Sequence, residues 1–313
     1  MKNFDELLKK YADFIVRVGV NPQPGQTLII NCCLEAAPLA RLCVRSAYEA
    51  GARDVLVNWS DNTVARTRME LGSEEALTDT KSWQLRRYLD YAESEGGVCV
   101  LHILADDPEI YAGLDGAKIS RVNAANRKFM APWREYTMND KVQWSIAAMP
   151  SAPWAKKMFP ELDTDAAIEK LWQLIFDVCR VTNGDPVSEW KAHLNRLMTL
   201  RDKMNALDLE SIHFESSNGT DLTVGLADKA SWESAGSKNE KGVDFLPNIP
   251  TEEVFTAPHK DKVNGIVYGT KPYVFNGQLI KGFHVIFKDG KVIEHGAVEG
   301  ADLLGQLLDT DEG

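Results

Sequence analysis

The chain has 313 residues, 44% of them apolar and 26% charged, with a formal net charge of −11 and a pI near 5.1. That acidic balance argues against a nucleic-acid surface, which should be basic, and no apolar run of about eighteen residues offers a membrane span. The length suits two domains, and the N-terminus lacks a signal peptide's apolar block. The five cysteines show no zinc or Cys-x-x-Cys spacing, which points to free thiols in a cytoplasmic setting.

The first half reads as alternating helix and strand. Phe4, Leu7, Leu8, Tyr11, Ile15 and Val16 recur at three and four residues and predict an amphipathic helix. Pro22, Pro24 and Gly25 end it. Short apolar strands are expected at 27–32, 54–59, 98–103 and 144–149. Helices are expected near 38–50, around Trp83 to Tyr91, and over 164–179, the last with Leu171, Leu174, Ile175 and Val178 on its apolar face. Strands this short and uniformly apolar, separated by helices, belong to a buried parallel sheet. No Gly-rich phosphate turn follows the first strand, whose loop reads Asn31-Cys32-Cys33-Leu34-Glu35, so a nucleotide site is not supported.

A helix near 188–207, with Trp190, Leu194, Leu197 and Met198 on its apolar side, marks a change of character. Beyond it, 211–215 and 221–226 flank Asn218-Gly219, and 283–287 and 291–294 flank Asp289-Gly290. Both pairs read as β-hairpins. The fold expected is α/β: a mostly parallel, helix-covered sheet in residues 1–187, then a largely antiparallel α+β domain in 188–313, with the boundary within 185–208.

One segment stands out chemically. In Asn248-Ile249-Pro250-Thr251-Glu252-Glu253-Val254-Phe255-Thr256-Ala257-Pro258, prolines fix the backbone at both ends. Adjacent residues of a strand face opposite ways, so one of Glu252 and Glu253 should point outward and the other into a cleft. Glu253 is the leading candidate ligand; a surface acid on an edge strand is the plain alternative. His259, His284, His295, His102, His193, His213, Asp221 and Asp228 read better as loop, core or surface residues, since no His-Glu-x-x-His or nucleophile-elbow context occurs.

The end of the chain carries its own signal. Residues 301–308 predict a short helix, and Asp309-Thr310-Asp311-Glu312-Gly313 reads as the opening of another. The second domain is therefore expected to be incomplete, a cut at Gly313 being preferred to a disordered acidic tail.

The motif from Asn248 to Pro258 resembles that of the thermophilic-type metalloaminopeptidases, the M29 peptidase family. The stretches Ser237–Gly242, Asp289–Val292, Ala297–Gly300 and Thr310–Gly313, the Pro24-Gly25-Gln26 turn and Glu49–Ala52 also fit. The resemblance covers essentially the whole chain. It implies a metal-dependent aminopeptidase acting on peptides with a free N-terminus. Two divalent ions (zinc, cobalt or magnesium) would sit in the C-terminal domain, and the protein would work as a homodimer. The family's metal-binding Glu of Glu-Val-Phe-Thr matches Glu253, whereas Glu252 stands where the family has Gly. The family's other ligands lie beyond the Asp-Glu-Gly motif that ends this chain, so the expectation is an N-terminal portion, inactive by itself, of an active parent. The alternatives are a non-catalytic interaction or regulatory protein on the same scaffold, and a small-molecule enzyme with its site at Asn31 to Glu35 or Trp59 to Asp61.

Overall fold

The computed structural model describes residues 1–310 apart from Asp106 and Asn183. Two compact units emerge. The first comprises Met1–Asp107, Ala117–Leu194 and Ala235–Glu252; the second comprises Pro108–Gly116, Asn195–Ser234 and Glu253–Gly313. Each is assembled from three separate stretches, where the sequence suggests one boundary at 187/188.

In the first unit, helix α1 (Phe4–Phe14) runs into a π-helical turn (Ile15–Val20), followed by β1 (Thr27–Cys33), α2 (Ala37–Glu49), β2 (Asp54–Ser60), α3 (Asn62–Leu71), α4 (Glu74–Thr78), α5 (Ser82–Ala92) and β3 (Val98–Leu104). Next come α6 (Gly116–Phe129), α7 (Ala131–Met138), β4 (Trp144–Ala148), α8 (Ala152–Met158), α9 (Thr164–Val178) and α10 (Pro186–Ala206), whose residues from Asn195 onward belong to the second unit. The four strands form one fully parallel sheet in the order β2-β1-β3-β4, with Thr27 opposite both Asp54 and Val98, and Val100 opposite Trp144.

Alternation explains the continuous apolar runs. Leu28, Ile30, Cys99, Leu101 and Ile103 face a large core with α1, α2 and α9, while Ile29, Val98 and Val100 face a smaller one with Trp133, Val142, Leu85 and Leu89. A strand covered on both faces has no polar side to show. Aromatic contacts fasten the larger core. Tyr11 and Phe4 meet Trp172 and Phe176 of α9, and Phe14 stacks on Trp190 of α10. Each such buried ring is worth about 1.5–3 kcal/mol of apolar transfer.

Helix α9 corrects its expected face. Leu174 and Val178 are 40% and 46% exposed, and the buried stripe is Ala167, Leu171, Trp172, Ile175 and Phe176. The two large aromatics turn the helix toward themselves because they have most apolar area to bury.

The second unit holds β5 (Ser211–Glu215), β6 (Asp221–Leu226) and β7 (Glu233–Ser234). A short pair, β8 (Ser237–Lys238) and β9 (Asp244–Phe245), belongs to the first unit. The second unit resumes with β10 (Val254–Phe255), β11 (Pro258–Tyr268), β12 (Tyr273–Phe275), β13 (Gln278–Ile280), β14 (His284–Lys288), β15 (Lys291–Gly296) and α11 (Ala301–Leu308). Five strands form an antiparallel sheet, β15-β14-β11-β6-β5.

The expectation of an incomplete second domain is corrected by this sheet. Its strands are partnered by one another, and Leu303 and Leu304 of α11 are buried against Ile280. Asp309 and Thr310 close that helix, with Asp309 N donating to the Gly305 carbonyl at 2.9 Å. The remaining terminal signal, Asp311-Glu312-Gly313, lies outside the described residues.

Gly290 shows why the β14–β15 turn needs glycine. Its φ is +79°, and an added Cβ would sit 1.6 Å from the Lys260 carbonyl oxygen. Among the described residues, no helix is long and apolar enough to cross a membrane.

Candidate functional site

The segment around Glu253 begins as an addition to the edge of the parallel sheet. Asn248 bridges Ile146 of β4 in parallel; Ile146 N donates to the Pro247 carbonyl at 2.8 Å, and Ile249 N donates to the Ile146 carbonyl at 2.9 Å. Ile249 is 4% exposed. Apolar Ile249 and the extended bias before a proline suit this geometry.

Thr251 and Glu252 meet a polar cluster made by Arg180, just beyond the end of α9, and His193 of α10. The His193 ring, 2% exposed, places Nε2 2.8 Å from the Thr251 carbonyl oxygen and Nδ1 3.1 Å from Arg180 Nη2. Arg180 Nη2 also donates to Glu252 Oε1 at 2.7 Å. The Arg180 guanidinium lies 5.1 Å from the centre of the Trp190 ring, whose indole N–H donates to the Cys179 carbonyl at 2.7 Å. Glu252 is thus an exposed carboxylate tied to an arginine.

Glu253 is exposed as well, and its carboxylate has no hydrogen-bond or ion-pair partner among the described residues. The chain then enters β10, which pairs with β7, and Thr256 Oγ1 donates to the Ser231 carbonyl at 2.8 Å. Both acids therefore reach solvent, because Glu253 precedes β10 rather than lying inside a long strand.

The other candidates have local partners. His213 Nε2 lies 2.8 Å from Asp221 Oδ1 across the β5–β6 hairpin, and His284 Nε2 lies 3.8 Å from Glu294. His259 Nδ1 accepts from Asp261 N at 3.1 Å, and Asp228 is 3.5 Å from Lys262 Nζ. His295 is exposed on β15. His102 sits within β3, where burial lowers its pKa from the usual 6.5. Among the described residues, no three His, Cys, Asp or Glu side chains are grouped to hold a metal ion. At the alternative strand-end position, Asn58 and Tyr88 donate to Asn31 Oδ1, and Asp61 caps α3 by accepting from Val64 N. Arg180 was not singled out by sequence reading; it carries no local motif, and only its positive φ of 58° sets it apart once folded.

An acid-rich cleft of about 760 Å³ in the second unit is lined by residues that include Asp208, Glu210, Asp228, Lys229, Lys262 and Asp289. Glu253 is not among its lining residues.

The model of the thermophilic metalloprotease (M29) family matches residues 4–313. The chain is 40% identical to Aminopeptidase 2 of Geobacillus stearothermophilus over 313 residues, covering all of this chain and 75% of that protein. It is 37% identical to Aminopeptidase AmpS of Bacillus subtilis, covering all of this chain and 76% of that one. Among solved structures, wild-type AmpT from Thermus thermophilus superposes with a TM-score of 0.89 at 34% identity, over 99% of this chain and 76% of that one. The chain thus spans about three-quarters of the length of these relatives. The expectation of inactivity is corrected by the same matches: the family model runs to residue 313, and the aminopeptidases match along all 313 residues of this chain.

Proposed function

The chain belongs to the thermophilic metalloprotease (M29) family, and from that premise we propose that it is a metal-dependent aminopeptidase releasing N-terminal amino acids from peptides. The observation that carries this is the match along all 313 residues of this chain to proteins named aminopeptidases, at 35% to 40% identity. Two divalent ions (zinc, cobalt or magnesium), a homodimeric state and a cytoplasmic setting complete the reading. The five buried cysteine thiols support a reducing compartment.

Glu253 is proposed as a metal ligand. A free carboxylate is a hard oxygen donor of the kind divalent ions take, and this one is unpartnered among the described residues. It fits as one ligand; the described residues hold no group of three, so it alone is assigned that role. Glu253 would help hold a divalent ion, whose chemistry there would be Lewis acidity toward a scissile carbonyl and acidification of a bound water. Glu253 contributes fixed negative charge. The neighbouring acid Glu252 is neutralised by Arg180, which keeps two adjacent carboxylates from repelling each other.

The test is hydrolysis of aminoacyl-p-nitroanilides by the purified chain with Co²⁺, Zn²⁺ or Mg²⁺. Turnover should need the metal, stop with a chelator, fail on N-acetylated substrates, and fall at least about 100-fold in Glu253→Gln, the scale of losing a group that acts in the transition state. Equal turnover on free and acetylated substrates would rule the reading out.

A further inference from the structure

Within the first unit, the N-terminal ends of β1, β3 and β4 border a cavity of about 290 Å³. Ligands of open α/β sheets ordinarily sit at the other, C-terminal ends of the strands. Its inner wall is the buried amide trio Gln26, Gln143 and Asn239. Half-buried Tyr136 and Lys141 and exposed Lys241 line it further out. We propose that this cavity binds a small oxyanion, the carboxylate or phosphate group of a compact molecule. The site is independent of the role given to Glu253, which does not line it.

Counting amide hydrogens gives the first reason. Gln26 Nε2 donates to the Val98 carbonyl at 3.1 Å and to Gln143 Oε1 at 3.0 Å. Gln143 Nε2 donates to the Asn21 carbonyl at 3.0 Å and to Gln26 Oε1 at 3.1 Å. Both nitrogens are thus fully used. Asn239 Nδ2 donates once, to Gln143 Oε1 at 3.0 Å, and its second hydrogen has no acceptor among the described residues. Asn239 Oδ1 accepts from Lys241 N at 3.0 Å and Val243 N at 2.9 Å, which fixes the side chain. A buried donor left over beside a cavity calls for an acceptor within it.

Charge gives the second. The chain carries 46 Asp and Glu against 35 Lys and Arg, yet neither Lys141 nor Lys241 has an ion-pair partner among the described residues. A Cβ added to Gly97, which lines the same cavity, would lie 3.7 Å from Lys241 Nζ. Lys141 Nζ stands 5.3 Å from the centre of the Tyr136 ring, whose hydroxyl also has no hydrogen-bond partner among the described residues. Two ammonium groups, a phenol and an amide therefore offer donors to one space. Glu240 lines it too and pairs with neither lysine. The lining keeps a surplus of one positive charge, which an anionic group answers and a cation or a neutral molecule does not. Charge-assisted bonds from the lysines are the strong contacts such a group can make.

Calorimetric titration of phosphate and of butyrate into the whole chain, at fixed ionic strength, tests this. At least one of the two should saturate a single site and slow amide exchange at residues 239–243. Lys141→Gln and Lys241→Gln should each weaken it about 10-fold, the scale of one hydrogen bond to a charged group. Glu240→Gln should tighten it about 2–5-fold by removing a like charge, a gain that a misfolded variant does not give. Lys128→Gln, on α6 and outside the lining, should bind like the unaltered chain. Saturation by phosphate alone upholds the site and assigns it to phosphate; saturation by butyrate alone upholds it and assigns it to carboxylates. The proposal is overturned if neither ion saturates below about 10 mM, or if Lys128→Gln weakens binding as much as Lys241→Gln does. It is also overturned if Glu240→Gln weakens binding. Should Lys141→Gln not fold, Lys241→Gln and Glu240→Gln decide on the same criteria.

Discussion

Replacing Gln143 by Leu tests the polar pin at the open end of the parallel sheet. Gln143 is 0% exposed, and Gln26 and Asn239 are each 6% exposed. Gln143 and Gln26 form a reciprocal amide pair: Gln26 Nε2 donates to Gln143 Oε1 at 3.0 Å, and Gln143 Nε2 donates back to Gln26 Oε1 at 3.1 Å. Asn239 Nδ2 also donates to Gln143 Oε1 at 3.0 Å. Leucine leaves two buried donors without that acceptor, at about 1–3 kcal/mol each. Its extra apolar burial offsets about 1–2 kcal/mol, so the net loss should be about 2–3 kcal/mol. Because Gln26 and Gln143 serve each other, Gln26→Leu combined with Gln143→Leu should lose less than the sum of the single changes, by about 1–2 kcal/mol. Urea unfolding, followed by fluorescence and by amide exchange in β1, β3 and residues 239–243, reads both quantities. A loss under about 0.5 kcal/mol, the range of an inert surface change, or strict additivity, would refute the reasoning.

Two further outcomes concern titrating groups of the first unit. Burial lowers the His102 pKa below 6.5, so as pH falls below 6.5 the unfolded chain takes up a proton that the folded chain refuses, and stability declines until the folded pKa is passed; the urea midpoint should therefore drop between pH 7.5 and 5, and His102→Asn should flatten that part of the profile. Burial pushes the Cys32 thiol up to about 11 and Cys179 to about 12, and raises Cys43 and Cys99 further. These thiols should resist Ellman's reagent in the native protein and react promptly in urea; fast reaction of Cys43 or Cys99 in the native state would contradict their burial.

What the sequence reveals follows from how local each signal is. The four parallel strands are readable to within a residue or two because burial on both faces makes them apolar throughout, as in Thr27–Cys33 and Val98–Leu104. The β14–β15 hairpin is readable because Asp289-Gly290 carries the positive φ its turn requires. Strand β11 is not: His259 reads as a polar loop residue, yet with Lys260, Asp261 and Lys262 it belongs to the central strand of the second sheet. A register shift between Pro258 and Val263 interrupts its pairing with β6 there and lets charged residues occupy it. At the candidate site, Glu253 is visible from its motif, whereas Arg180 and His193 are not. They stand 72 and 58 residues from Glu252 and Thr251, their partners, and no spacing rule links groups brought together only by tertiary folding.

The late return of residues 235–252 to the first unit has a consequence for the order of synthesis. A nascent chain that has just emerged through α9 has β4 made but its outer edge unpaired, because Pro247 and Ile249 have not yet been synthesised. Asn239, which completes the amide cluster, is likewise absent, as are Phe245, Leu246 and Ile249 from the core. Residues 195–234, which belong to the second unit, must be produced first. An unpaired strand edge is a template for association with other chains, and partly built units are the species that aggregate. Cutting the gene after α9 would fix that transient state permanently: the boundary suggested by the linear text would release a sheet with one flank bare, not a domain.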